Sequence, residues 1–78
     1  MDKTDQIQIV SISTPFIRLD ALLKLAGAVP TGGIAKLRIQ NGEVLVGGVC
    51  CTMRGKKLRD GEIVELDGLK IKVQSACM

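Results

Sequence analysis

Two periodicities divide this chain. From Gln6 to Ser13 polar and β-branched residues alternate, with Ile7 and Ile9 on one side and Gln8, Val10 and Ile12 on the other, which predicts a strand. Thr14-Pro15 then reads as a helix start, Thr as N-cap and Pro at the first helical position. From Phe16 to Ala26 the spacing lengthens. Leu19, Leu22, Leu23 and Ala26 fall at i, i+3, i+4 and i+7, one apolar stripe of a helix, while Arg18, Asp20 and Lys24 face away from it. Gly27 supplies the stop. Pro30 lies in the connection, Thr31 caps a second helix over Gly32 to Gln40, and Asn41-Gly42 ends it.

Beyond Gly42 the period returns to two. Glu43 to Val46 and Val49 to Thr52 flank Gly47-Gly48, the pattern of a hairpin with a glycine turn. Met53 to Lys57 reads as a basic connection. Leu58 leads to a turn at Asp60-Gly61, a strand Glu62 to Leu66, a turn at Asp67-Gly68 and a last strand Leu69 to Gln74. The order is strand, helix, helix, then three or four strands: an α+β chain whose two short helices form a corner. Residues 1–6 are polar and are expected to be a flexible N-terminus; 7–78 form one domain, without repeats or linkers.

Charge sharpens this picture. Between Arg18 and Arg59 stand Arg18, Lys24, Lys36, Arg38, Arg54, Lys56, Lys57 and Arg59 against Asp20 and Glu43, a net of +6 inside a chain of net +3. The segments on either side are mildly acidic, so the basic residues form a localised zone suited to an anionic partner. Phe16 is the sole aromatic residue, which leaves no platform for stacking several bases. Binding to nucleic acid would rest on phosphate charge, backbone amides and shape.

Other chemistries find little support. The three cysteines are odd in number, two are adjacent (Cys50 and Cys51), and with Cys77 they read as small apolar residues in a reducing compartment. There is no His, and no metal or cofactor site is expected. Without His or Tyr the serines lack a base for nucleophilic catalysis, and the carboxylates Asp60, Glu62, Glu65 and Asp67 read as a solvated edge, so no enzyme is expected. No apolar run reaches the roughly 18 residues of a membrane span, which points to a soluble, cytoplasmic protein.

Five segments in order carry a resemblance: Ile17-Arg18-Leu19-Asp20, Leu23-Lys24, Gly32-Gly33-Ile34-Ala35-Lys36, Gly42-Glu43-Val44-Leu45-Val46, and Arg54-Gly55-Lys56-Lys57-Leu58-Arg59-Asp60-Gly61. Together they resemble the RNA-binding domain named after small-ribosomal-subunit protein S-four, in its short stand-alone bacterial form, from about residue 7 to residue 73. The resemblance implies two helices packed on a small curved, mostly antiparallel sheet of four to five strands, gripping structured RNA with the helix corner and adjoining strands. It implies that Arg18 opens the first helix toward the RNA backbone. Thr31, Gly32 and Gly33 would present amides at the second helix's N-terminus, Lys36 would project one turn further, and Arg54, Lys56 and Lys57 would add charge from the strand side. Two departures stand out. Gly47 occupies the turn position where the family usually has Asn, and Arg38 stands where it usually has an apolar residue, so the second helix is either rotated or exposes Leu37.

Each residue also has a plainer reading: Arg18 paired with a surface acid, Gly32-Gly33 a flexible helix start, Lys36 and Arg38 solvated, and Arg54 to Lys57 an exposed turn that blocks edge pairing. The combined expectation is a monomeric module that recognises ribosomal or transfer RNA in ribosome assembly or translation. The alternative is a protein-interaction module offering an edge at Val49-Cys50-Cys51 or at the last strand, Leu69 to Val73. A sulfur-carrier domain is set aside, because such carriers end in Gly-Gly and this chain ends Ser75-Ala76-Cys77-Met78.

Overall fold

A computed structural model of the protein describes residues 7–76; the expected flexible segment 1–6 and Cys77 lie outside the described residues. Strand β1 (Ile7–Ile12) is followed by a short strand β2 (Phe16–Arg18), helices α1 (Leu19–Leu25) and α2 (Gly32–Gln40), and the hairpin β3 (Leu45–Val46) and β4 (Val49–Cys50). The chain closes with β5 (Lys57–Arg59), β6 (Ile63–Leu66) and β7 (Leu69–Ser75). Five strands make a mixed sheet in the order β1-β7-β6-β3-β4, and β2 and β5 form a separate two-stranded ribbon. Only the β1–β7 pairing is parallel in the larger sheet, so the mostly antiparallel expectation holds.

The core forms where the helix stripe meets one face of the sheet. Leu19, Leu22 and Leu23 of α1 and Ala35 and Ile39 of α2 are fully buried. They join Val10, Val46, Val64, Leu66, Ile71 and Val73 of the sheet and Leu58 of β5 in one cluster. Each buried aliphatic side chain of this kind contributes about 1.5–3 kcal/mol of transfer free energy. The hairpin turns follow their residues. Gly47 and Gly48 both have positive φ (60° and 84°), as do Asp67 and Gly68 (54° and 80°), the backbone of two-residue turns that match strand twist. A φ of 60° is also open to Asn, so Gly47 preserves the turn that an Asn would form there.

The first helix starts later than Thr14-Pro15 predicts. Phe16, Ile17 and Arg18 are extended and pair with Arg59, Leu58 and Lys57, and the helix begins only at Leu19. Thr14 does not cap it; its Oγ1 donates to the Phe16 carbonyl at 2.8 Å. The cause is tertiary. The β5 residues offer Phe16–Arg18 a ladder partner, and the loop before β5 takes over the capping: Leu19 N donates to the Lys56 carbonyl (2.9 Å) and Asp20 N to that of Arg54 (3.1 Å). For the same reason the basic connection 53–57 is a turn ending in a strand. The last strand is no edge either, since β7 runs between β1 and β6, and among the described residues the outer strands of this sheet are β1 and β4.

Candidate nucleic-acid interface

Helix α2 starts as its sequence predicts. Thr31 is extended (φ −142°, ψ 163°) and its side-chain oxygen accepts from Ile34 N at 3.2 Å. The next amides, of Gly32 and Gly33, belong to the first turn and have no intrahelical acceptor. Both glycines are exposed; a Cβ on Gly32 would meet no atom within 4 Å, and one on Gly33 only Thr31 Oγ1 at 3.9 Å. The helix dipole adds partial positive charge here, and no acidic residue stands in the first turn to cancel it. Lys36, four residues beyond Gly32 and three beyond Gly33, continues the same helical face and is exposed.

The end of β2 and helix α1 each bring one cation to this place, Arg18 and Lys24. Arg18, Asp20, Ala21 and Lys24 line a shallow depression of about 250 Å³ together with Gly32. Arg18 pairs with Asp20 at 3.2 Å, yet its side chain remains 53% exposed. The plainer reading of Arg18 is therefore met in part, but an exposed pair of this kind is worth little and exchanges readily for another anion. Gly55 leaves room for the same guanidinium, whose Nη2 lies 3.7 Å from where a Cβ would sit.

The strand side arrives through the ribbon. Arg18 and Lys57 are register partners in the β2–β5 pair, so Lys57 stands directly beside Arg18. Arg54 and Lys57 are exposed and Lys56 is half-buried. Arg54 and Lys56 also serve the site through their backbones, because their carbonyls fix the start of α1 and hence the position of Arg18. The structure thus brings Arg18, Lys57 and Gly32 to one neighbourhood, with Lys36 further along α2 and Arg54 on the loop beneath α1.

Three neighbours of the site are not among the RNA contacts that the sequence predicts. Lys24 lines the depression itself. Phe16 and Arg59 are partners in the ribbon, with the Lys57 Nζ 4.9 Å and the Arg59 Cζ 5.8 Å from the Phe16 ring centroid. The signal was the alternation Phe16-Ile17-Arg18 against Lys57-Leu58-Arg59, which a helix assignment over Phe16 conceals.

Arg38 stands apart from this group. It donates to Glu43 Oε1 at 2.6 Å and to Asp67 Oδ2, tying the end of α2 to the β6–β7 turn. The Asp67 hydrogen bond, then that to Glu43, raises its pKa above the ordinary guanidinium value, so it stays charged at every working pH. Leu37 is 53% exposed, as the second of the two expectations has it. Replacing Arg38 by Met should lower the melting temperature slightly, because it removes the ion pairs with Glu43 and Asp67; calorimetry would check it, and an unchanged melting temperature would mean that the pairs contribute nothing.

Two helices on a mixed five-strand sheet with a small second sheet make an S4-like, alpha-L-type fold, and the family is shown by sequence. The chain belongs to the S4 domain family, whose model matches residues 10–74. Over 59 residues it is 42% identical to the probable ribosome maturation protein RlbA of Bacillus subtilis (strain 168), covering 76% of this chain and 83% of that protein. The fold is similar to the solution structure of YbcJ from E. coli, described as revealing an ALFAL motif involved in RNA-binding, with a TM-score of 0.70, 29% identity and 95% of each chain covered. Among the described residues no helix is long and apolar enough to cross a membrane.

Proposed function

We propose that this protein binds a structured RNA through the α1–α2 corner and the adjoining ribbon, as a cytoplasmic, monomeric, non-catalytic factor in ribosome maturation. The observation that supports it most directly is the convergence of Arg18 and Lys24 on the open start of α2, with Lys57 beside Arg18. Phosphates of a folded RNA would meet the Gly32 and Gly33 amides and the side chains of Arg18, Thr31, Lys36, Arg54, Lys56 and Lys57. The name of the B. subtilis relative favours ribosomal RNA over transfer RNA. A rigid surface of this kind recognises the placement of phosphates rather than base edges.

Salt dependence tests the mode of binding. If about five cations each meet a phosphate, the logarithm of the association constant should fall against the logarithm of salt concentration with a slope of about −4. Filter binding or anisotropy with ribosomal RNA fragments would measure it. A slope shallower than about −1, or no binding at low salt, would contradict the proposal.

A second reading keeps one observation of its own. Edge strand β4 exposes Val49 (69%) and Cys50, and Met53 shortly after it is 65% exposed. This edge suits a protein neighbour, such as a ribosomal protein beside the RNA site, by strand addition.

A further inference from the structure

Opposite residues of an antiparallel pair share a face, and so do residues two apart on one strand. Phe16, Arg18, Lys57 and Arg59 therefore lie on one face of the β2–β5 ribbon, and Ile17 and Leu58 on the other. Leu58 is fully buried, so the face with the cations looks outward. Phe16 is half-buried there, and both the Lys57 ammonium and the Arg59 guanidinium stand over its ring, at 4.9 and 5.8 Å from the centroid. These distances are within cation–π range. The ion pairs among the described residues involve Arg18 and Arg38 as cations, not Lys57 or Arg59.

We infer that the ribbon is a second phosphate-binding element of the RNA interface, in which Arg59 joins Lys57 as a phosphate ligand and Phe16 is the positioning residue for both. The inference rests on the RNA-binding reading and extends it to residues outside the helix corner. Long cationic side chains lose much rotamer freedom when fixed on a ligand. Cations already held over a ring lose less on binding, which raises affinity through pre-organisation. Lys57 and Arg59 are two residues apart on one strand, about 6.6 Å of rise, so both side chains leave the ribbon on the same face. With two cations over its face, the ring acts through them rather than as a platform for a base.

The test is anisotropy titration of a fluorescein-labelled ribosomal RNA stem-loop over a range of salt, with wild type, Arg18→Ala, Arg59→Gln, Phe16→Leu, Phe16→Tyr, Lys57→Gln/Arg59→Gln, and that double variant carrying Phe16→Leu. Arg59→Gln should weaken binding about tenfold. It should also make the log–log salt slope shallower by about one. Phe16→Leu should cost about two- to fivefold, and Phe16→Tyr should retain wild-type affinity. In the variant lacking both cations, Phe16→Leu should cost nothing further; a purely structural role would cost the same in either background. Arg59→Gln is an exposed change that leaves the fold intact, so the slope reading stands even if Phe16→Leu is poorly folded.

Wild-type affinity and slope in Arg59→Gln, beside a weakened Arg18→Ala, would overturn this inference and leave the corner reading standing. Equal losses from Phe16→Leu with and without the two cations would overturn the positioning role. Failure of the wild type to bind any RNA at low salt would overturn both.

Discussion

Replacing Arg18, Lys36 and Lys57 together by Glu is expected to lower RNA affinity at low salt by at least about a hundredfold. Each charge-assisted contact is worth about 1.5–3 kcal/mol, and each reversal adds repulsion from the phosphate that it formerly met. Three such losses exceed about 4 kcal/mol, or roughly a thousandfold, even at the lower bound, so a hundredfold is a conservative threshold. All three side chains are exposed, and the contacts broken are the exposed Arg18–Asp20 pair and the Lys57–Phe16 cation–π contact, each worth little, so the fold should persist. The control uses the same chemistry elsewhere. Lys70 and Lys72 lie on β7, in register with Glu65 and Ile63, on the sheet face turned away from the helices. Lys70→Glu/Lys72→Glu should weaken binding less than about tenfold, through net charge alone. Comparable losses in the two variants would mean that the basic character acts without a defined site.

The second large effect concerns stability. Leu58 is fully buried and is the central residue of β5, where it joins the ribbon to the core. Leu58→Ala should destabilise the domain by about 2–5 kcal/mol, from lost burial and the cavity left behind. A domain of this size has only about 4–12 kcal/mol to lose. The melting temperature should therefore fall by roughly 10 °C or more, read by calorimetry or far-ultraviolet circular dichroism. Because β5 holds Lys57 and Arg59 outward on the opposite side of Leu58, RNA affinity should fall as well, though neither cation is changed. A shift of under about 2 °C would mean that the ribbon is held by its ladder and the capping carbonyls rather than by Leu58.

Most of the fold was legible in local patterns. The stripe Leu19, Leu22, Leu23 and the boundaries of α2 followed from spacing and from Thr31, Asn41 and Gly42, residues whose effects act within a turn or two. The two hairpins followed from paired turn residues. What stayed hidden was long-range. Phe16–Arg18 pairs with residues some forty positions away, and the carbonyls that start α1 come from Arg54 and Lys56. No local rule can report that partner, so Thr14-Pro15 looked like the helix start. The same gap hid part of the interface: the corner residues were readable as a basic cluster near a glycine-rich helix start, whereas Phe16 and Arg59 became neighbours only once the ribbon was known. The last strand, Leu69 to Val73, stood beside Val49-Cys50-Cys51 as an alternative docking edge because a strand sequence does not disclose its neighbours. Arg38 was ambiguous because its two acidic partners, Glu43 and Asp67, lie on opposite sides of the hairpin in sequence.

The most direct measurement is ultraviolet crosslinking of the tagged protein to RNA in living bacterial cells, followed by sequencing of the co-purified RNA, with the Arg18→Glu/Lys36→Glu/Lys57→Glu variant alongside. A sharp peak on one folded element of ribosomal RNA, present in the wild type and lost in the variant, is the expected result. Equal recovery of RNA by both proteins, or none by either, would contradict the claim that the helix corner and ribbon form an RNA-binding surface.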